Sequence, residues 1–187
     1  MTHLKNSIWK VAQTDWVIMA DMDEHLCVTH QDLKTEHRVG TNVLRIQGID
    51  IIGESHRNDL SDIDVTAIRK GVPNSQESKS LCFRKDEIEA INYYPGAHLC
   101  RPTGNVVHSE KLYINRHANW LGLGFSQRKI VARFENSVEM RTEHGVATHY
   151  TDDLGAIETQ YNELFHNACT FSDDPSFAKS APPAQFM

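Results

Sequence analysis

The feature that most constrains this chain is Asp15 to Leu26, DWVIMADMDEHL, in which an unbroken apolar run ends in a cluster of carboxylates. Trp16-Val17-Ile18-Met19-Ala20 has the continuity of a strand covered on both faces, the setting of a central strand in an α/β sheet. Asp21, Asp23 and Glu24 follow it, and open α/β sheets bind ligands at the carboxyl ends of their strands. On an extended chain, residues two apart point the same way. Asp21 and Asp23 are therefore expected to face one hard divalent cation, Mn²⁺ or Mg²⁺, with Met22 turned to the core. A cation held there bridges two phosphates of a nucleotide diphosphate and neutralises the leaving group. A solvated turn after a strand is the other meaning the same residues can have.

The rest of the composition narrows the ligand. With 187 residues the chain fits a single domain with a real core. A formal charge of -6 argues against nucleic acid or an anionic membrane surface as partner, so an anionic ligand must be held locally. Cys27, Cys82, Cys100 and Cys169 are widely spaced and contain no CxxC pair. That spacing, with no signal-peptide pattern and no membrane span, leads to the expectation of a reduced, cytoplasmic protein.

Periodicity places the other elements. Leu4, Ile8 and Val11 predict a short amphipathic helix before the first strand. Further strands are predicted at Asn42 to Ile52, Ser80 to Arg84, Ala90 to Tyr94 and Lys111 to Asn115, with Lys70 to Ser80 as a polar loop. Leu121 to His144 reads as a helix capped by Gly145, and Asp153 to Phe165 as a second one. Residues 1–171 are thus expected to form one domain, and the proline-bearing segment 172–187 a flexible tail.

Three ordered blocks resemble the family 2-like glycosyltransferases. The first is DWVIMADMDEHL itself. The second is Ser80 to Asn105, SLCFRKDEIEAINYYPGAHLCRPTGN, similar to the family's Phe-containing strand, Ile-Asn step, Pro-Gly-x-His turn and Pro-x-Gly loop. The third is Leu112 to Leu123, LYINRHANWLGL, similar to its His-containing element before a long basic helix. The resemblance implies a GT-A-like α/β domain, a nucleotide-diphospho-sugar transferase with a mixed sheet flanked by helices. It also implies metal-dependent sugar transfer from a nucleotide-sugar donor to a sugar, lipid or protein acceptor. Asp21 and Asp23 take the family's Asp-x-Asp metal positions, Glu24 joins them, and His117 is placed to complete the shell. His98 is matched as a residue near the diphosphate, the metal or the acceptor.

In that family a nucleotide-binding half precedes the Asp-x-Asp strand, whereas twenty residues precede Asp21. The expectation is accordingly a truncated GT-A-like domain, its exposed sheet edge covered by a partner chain or by a second copy in a homo-oligomer. A catalytically incomplete fragment or binding module is the alternative to an enzyme. For the proton of the attacking hydroxyl, Glu54 and Asp64 are the candidate bases, with Asp62 beside them. Trp120, next to Leu121-Gly122, is the candidate acceptor-stacking ring. A second enzyme class remains open: Ser55, Asp62 and Asp64 in GESHRNDLSDID have the residue types of a metal-dependent nucleotidyltransferase, though the spacing between them is short.

Overall fold

In the computed structural model, residues 2–53, 63–94, 97–145 and 147–172 are described. The chain is mixed α/β, with a sheet flanked by helices, and its contacts divide into two compact units. No helix among the described residues is long and apolar enough to cross a membrane.

The first unit is built on residues 2–49 and 73–117. Its helices are α1 (Thr2–Ser7), followed by a 3-10 turn (Ile8–Val11), and α2 (His30–Arg38). Its strands are β1 (Trp16–Ile18), β2 (Glu24–Cys27), the first part of β3 (Val43–Ile52), β5 (Cys82–Arg84), β6 (Ile88–Ala90), β7 (Thr103–Gly104) and most of β8 (His108–Trp120). β1 pairs antiparallel with β5, β5 with β3, and β8 pairs with both β3 and β2. Two apolar clusters hold the unit. One gathers Trp9, Val17, Val43, Phe83 and Ile91; the other gathers Leu26, Leu44, Ile46, Leu81 and Tyr113.

The second unit takes residues 50–72 and 118–171. It contains β4 (Lys70–Pro73), α3 (Leu123–Asn136), α4 (Val138–His144), α5 (Leu154–Asn167) and β9 (Cys169–Thr170). α3 and α5 close over Ile52 and Trp120, and Ile130, Ile157 and Tyr161 complete that core. Tyr161 is wholly buried and donates its hydroxyl to the Gly53 carbonyl at 2.8 Å, so its polar end is satisfied.

Several expectations are corrected. β1 is a three-residue edge strand rather than a central one: only Val17 is fully buried, Trp16 is partly buried against the core, and Ile18 is 48 % exposed. The stripe Leu4, Ile8 and Val11 faces solvent, and Trp9 supplies the buried contact, edge-on to Phe83. The strand at Ala90 to Tyr94 lies earlier, as β6, and Lys70 to Ser80 contains β4 and a 3-10 turn at Ser75–Glu77. The long helix is broken at Ser137 into α3 and α4, and Gly145 does end α4 in the left-handed region, with φ 62°. Residues 173–187 of the expected tail lie outside the described residues.

Candidate functional site: the acidic turn and its buried lysine

The first unit brings the acidic cluster together from five segments: α1, the Asp21–Glu24 turn, the stretch from Asn74 to Lys79, the residue His98 and β8. Asp21 to Glu24 is a tight turn, closed by the Glu24 N–H donating to the Asp21 carbonyl at 3.1 Å. The Asp21 N–H in turn donates to Glu24 Oε2 at 2.7 Å. A turn has no two-residue periodicity, and Met22 points fully into solvent instead of into the core.

Asp21 is met by two ammonium groups. Lys5 Nζ of α1 lies 2.5 Å from Oδ1 and Lys79 Nζ 3.4 Å from Oδ2. Burial opposes the charge on Asp21, but the two lysines outweigh it and hold the carboxyl below the ordinary carboxylate range.

Lys79 is the centre of the cluster. Its side chain is 1 % exposed, and its ammonium lies 2.7 Å from Glu24 Oε1, 3.4 Å from Glu77 Oε2 and 3.4 Å from Asp21. An ammonium this deep is stable only because carboxylates surround it; burial works against its charge, and the three acids raise its pKa all the same.

Glu77 is placed by backbone geometry. Asn74 caps the 3-10 turn Ser75–Glu77, accepting from the Gln76 N–H at 2.9 Å. That turn is fixed to β3: the Asn74 N–H donates to the Gly48 carbonyl at 2.9 Å, and the Gly48 N–H donates to Ser78 Oγ at 2.9 Å. The approach demands glycine, because a Cβ on Gly48 would lie 2.5 Å from Glu77 Cβ. Burial, and then a carboxyl–carboxyl hydrogen bond with Glu24, push the Glu77 carboxyl up to about 7, with His117 and Lys79 opposing. Glu24 takes the other role in the pair. Although burial disfavours its charge, its bond with Glu77 and the Lys79 ammonium hold it below the usual range.

Two histidines converge on Glu77. β2 and β8 pair with Glu24 opposite His117, which sets His117 Nε2 3.5 Å from Asp23 Oδ2 and its Nδ1 3.8 Å from Glu77 Oε1. His98 Nδ1 lies 3.6 Å from the same Glu77 oxygen and 3.3 Å from the Gln76 carbonyl, to which the Nδ1-protonated ring donates. Burial and the Lys79 charge lower the His98 pKa.

Asp21, Asp23, Glu24, His98 and His117, five of the residues named from sequence, therefore lie in one neighbourhood. Glu77 and Lys79, which complete it, were not anticipated; their charges sit in KGVPNSQESKS, whose composition is that of a loop. Trp120 is a core residue of the second unit, 4 % exposed and tilted against Tyr161, so its ring is not on the surface. Asp64, also in the second unit, is exposed, and its Oδ1 accepts from the Thr66 N–H and hydroxyl in a local turn. Glu54, Ser55 and Asp62 lie outside the described residues.

The donor set fits a divalent ion only in part. Asp23 and His117 stand 3.5 Å apart, and adjacent ligands of an octahedral Mg²⁺- or Mn²⁺-sized ion are separated by about 3 Å. Asp21 and Glu24 face ammonium groups, which repel a dication. Among the described residues no group of three or more His, Cys, Asp or Glu forms a metal shell. The protein would supply two ligands, with phosphate and water supplying the rest, as is common for Mg²⁺. Compared with protein-family models, with curated proteins and with solved structures, the chain matches none.

Proposed function

We propose that the chain is a GT-A-like domain that binds the diphosphate of a nucleotide-sugar donor at the Asp21–Glu24 turn, for metal-dependent sugar transfer. The observation that supports this reading most is the meeting of Asp23 and His117, far apart in sequence and both implied as metal positions by the family resemblance. Asp23 and His117 would hold Mn²⁺ or Mg²⁺, which supplies charge neutralisation for the departing diphosphate. Lys79 and Lys5 keep Asp21 and Glu24 compensated, so that the turn keeps its shape beside an anionic ligand. Burial and Glu24 push the Glu77 carboxyl, between the two imidazoles, up to about 7, which leaves it only partly ionised at neutral pH and limits the negative charge of the cluster.

Calorimetric titration of the full chain with UDP and GDP, with and without Mn²⁺, tests the reading. Binding should require the ion and should be lost in Asp23→Ala. Affinity indifferent to both the ion and that substitution would sink it.

The alternative, a binding module without sugar transfer, is favoured by Asp21, whose two oxygens are each already matched to a lysine. It predicts metal-dependent donor binding with no hydrolysis or transfer of the sugar.

A further inference from the structure

A cavity of about 730 Å³ opens between β1 and α2 in the first unit, and it shares no residue with the acidic turn. The chemistry of α2 is segregated around it. His30, Lys34, His37 and Arg38 line the cavity, and on a helix these positions fall on one face. The acids of the same helix are directed elsewhere. Asp32 closes the capping box with Thr29 and pairs with Lys111 at 2.6 Å, while Glu36 is buried and accepts from the Tyr113 hydroxyl at 2.7 Å. In a chain of net charge -6, this leaves a local basic wall. Trp16 and Leu33, both partly buried against the core, supply the apolar part of the lining. Asp15 is the sole carboxylate among the lining residues.

Lysine and arginine one turn apart suit a phosphate, the guanidinium by a two-pronged contact and the ammonium as a point charge. An indole that reaches a cavity with part of its surface suits a planar ring, by contact that does not depend on which base is present. The volume is that of ordinary small-molecule sites. We propose that this cavity is a binding site for a nucleoside phosphate, with the phosphate on Lys34 and Arg38 and the base against Trp16. The site requires no divalent ion.

The test is titration of AMP into the full chain in the presence of EDTA, followed by calorimetry and tryptophan fluorescence. Running it without metal separates its outcome from that of the metal-dependent diphosphate reading. AMP should quench fluorescence. The double variant Lys34→Ala, Arg38→Ala, whose side chains are exposed, should fold normally and bind AMP about tenfold or more weakly, while adenosine binds it as it binds the wild type. Trp16→Leu should weaken AMP and adenosine together. AMP affinity unchanged in the double variant overturns the proposal. So does inorganic phosphate that binds as tightly as AMP, which would make this an anion site without a base subsite.

Discussion

The ammonium of Lys79 and the carboxylate of Glu24 stand 2.7 Å apart with both side chains 1 % exposed. Such a pair is held more by the cost of breaking it than by any net gain from making it. Lys79→Met should therefore destabilise the fold by about 3–5 kcal/mol, by leaving buried carboxylates uncompensated. Adding Glu24→Gln should recover part of that loss, and only part, because Asp21 and Glu77 also face Lys79. Urea unfolding of the two single variants and the double variant checks the cycle; strictly additive losses would show that the pair is not coupled.

Glu77 gives the pH dependence its sign. Its folded carboxyl is raised from the ordinary 4.5 to about 7, so the folded state binds that proton more tightly than the unfolded chain does. The associated stability is complete below about 4.5 and is lost as pH rises through about 7, on the order of 3 kcal/mol in all. Asp21 and Glu24 run the opposite way, contributing above the ordinary carboxylate range and losing that contribution on acidification. Chemical denaturation at roughly pH 5 and pH 8 should show the wild type weaker at the higher value and Glu77→Gln without that loss, somewhat stronger at the higher value because His98 has a lowered pKa.

Gly48→Ala tests whether backbone contact positions Glu77. The new methyl group would meet the Asn74 carbonyl oxygen at 2.6 Å as well as Glu77, so the 3-10 turn must move. A destabilisation of about 1–3 kcal/mol is expected by thermal unfolding, together with weaker metal-dependent UDP binding. Normal stability with normal binding would show that the turn is not pinned by β3.

Thr29→Ala removes one half of the α2 capping box, in which Thr29 Oγ1 accepts from the Asp32 N–H at 3.1 Å and Asp32 accepts from the Thr29 N–H at 2.9 Å. The expected cost is about 0.5–2 kcal/mol, read by denaturant unfolding. Because α2 carries Lys34 and Arg38, AMP binding should weaken along with it.

What could be read from sequence was set by how locally each signal is encoded. β3 was legible because Val43 to Ile52 is dense in Val, Leu and Ile, with four Ile in ten residues, and α5 because Asp153 is a cap. β8 was only half legible. Its apolar centre gave Lys111 to Asn115, but the strand continues through Arg116 and His117, which are buried polar residues at 2 % and 8 % exposure. The same difficulty hid Glu77 and Lys79, whose burial is made tolerable by each other and by Glu24, none of which composition reveals. Met22 departs from the expected core position for a different reason. Periodicity holds for an extended chain, and the Glu24 carboxylate folds this one back on Asp21.

The attachment of α1 has a consequence for the timing of events at Asp21. Its anchors are polar: Lys5 on Asp21, and Asn6 exchanging two hydrogen bonds with the Tyr93 backbone at 2.7 and 3.0 Å, while Leu4 lies in solvent. A six-residue helix fastened in this way opens at far lower free energy than the sheet, on its own and many times before the molecule unfolds. Each opening withdraws one of the two cations from Asp21 and hands that oxygen to whatever cation is in solution. The exchange rates of the Asn6 and Ser7 amides, which lie beyond the four unbonded N–H groups of the first turn, are thus a clock for how often the carboxylate becomes available.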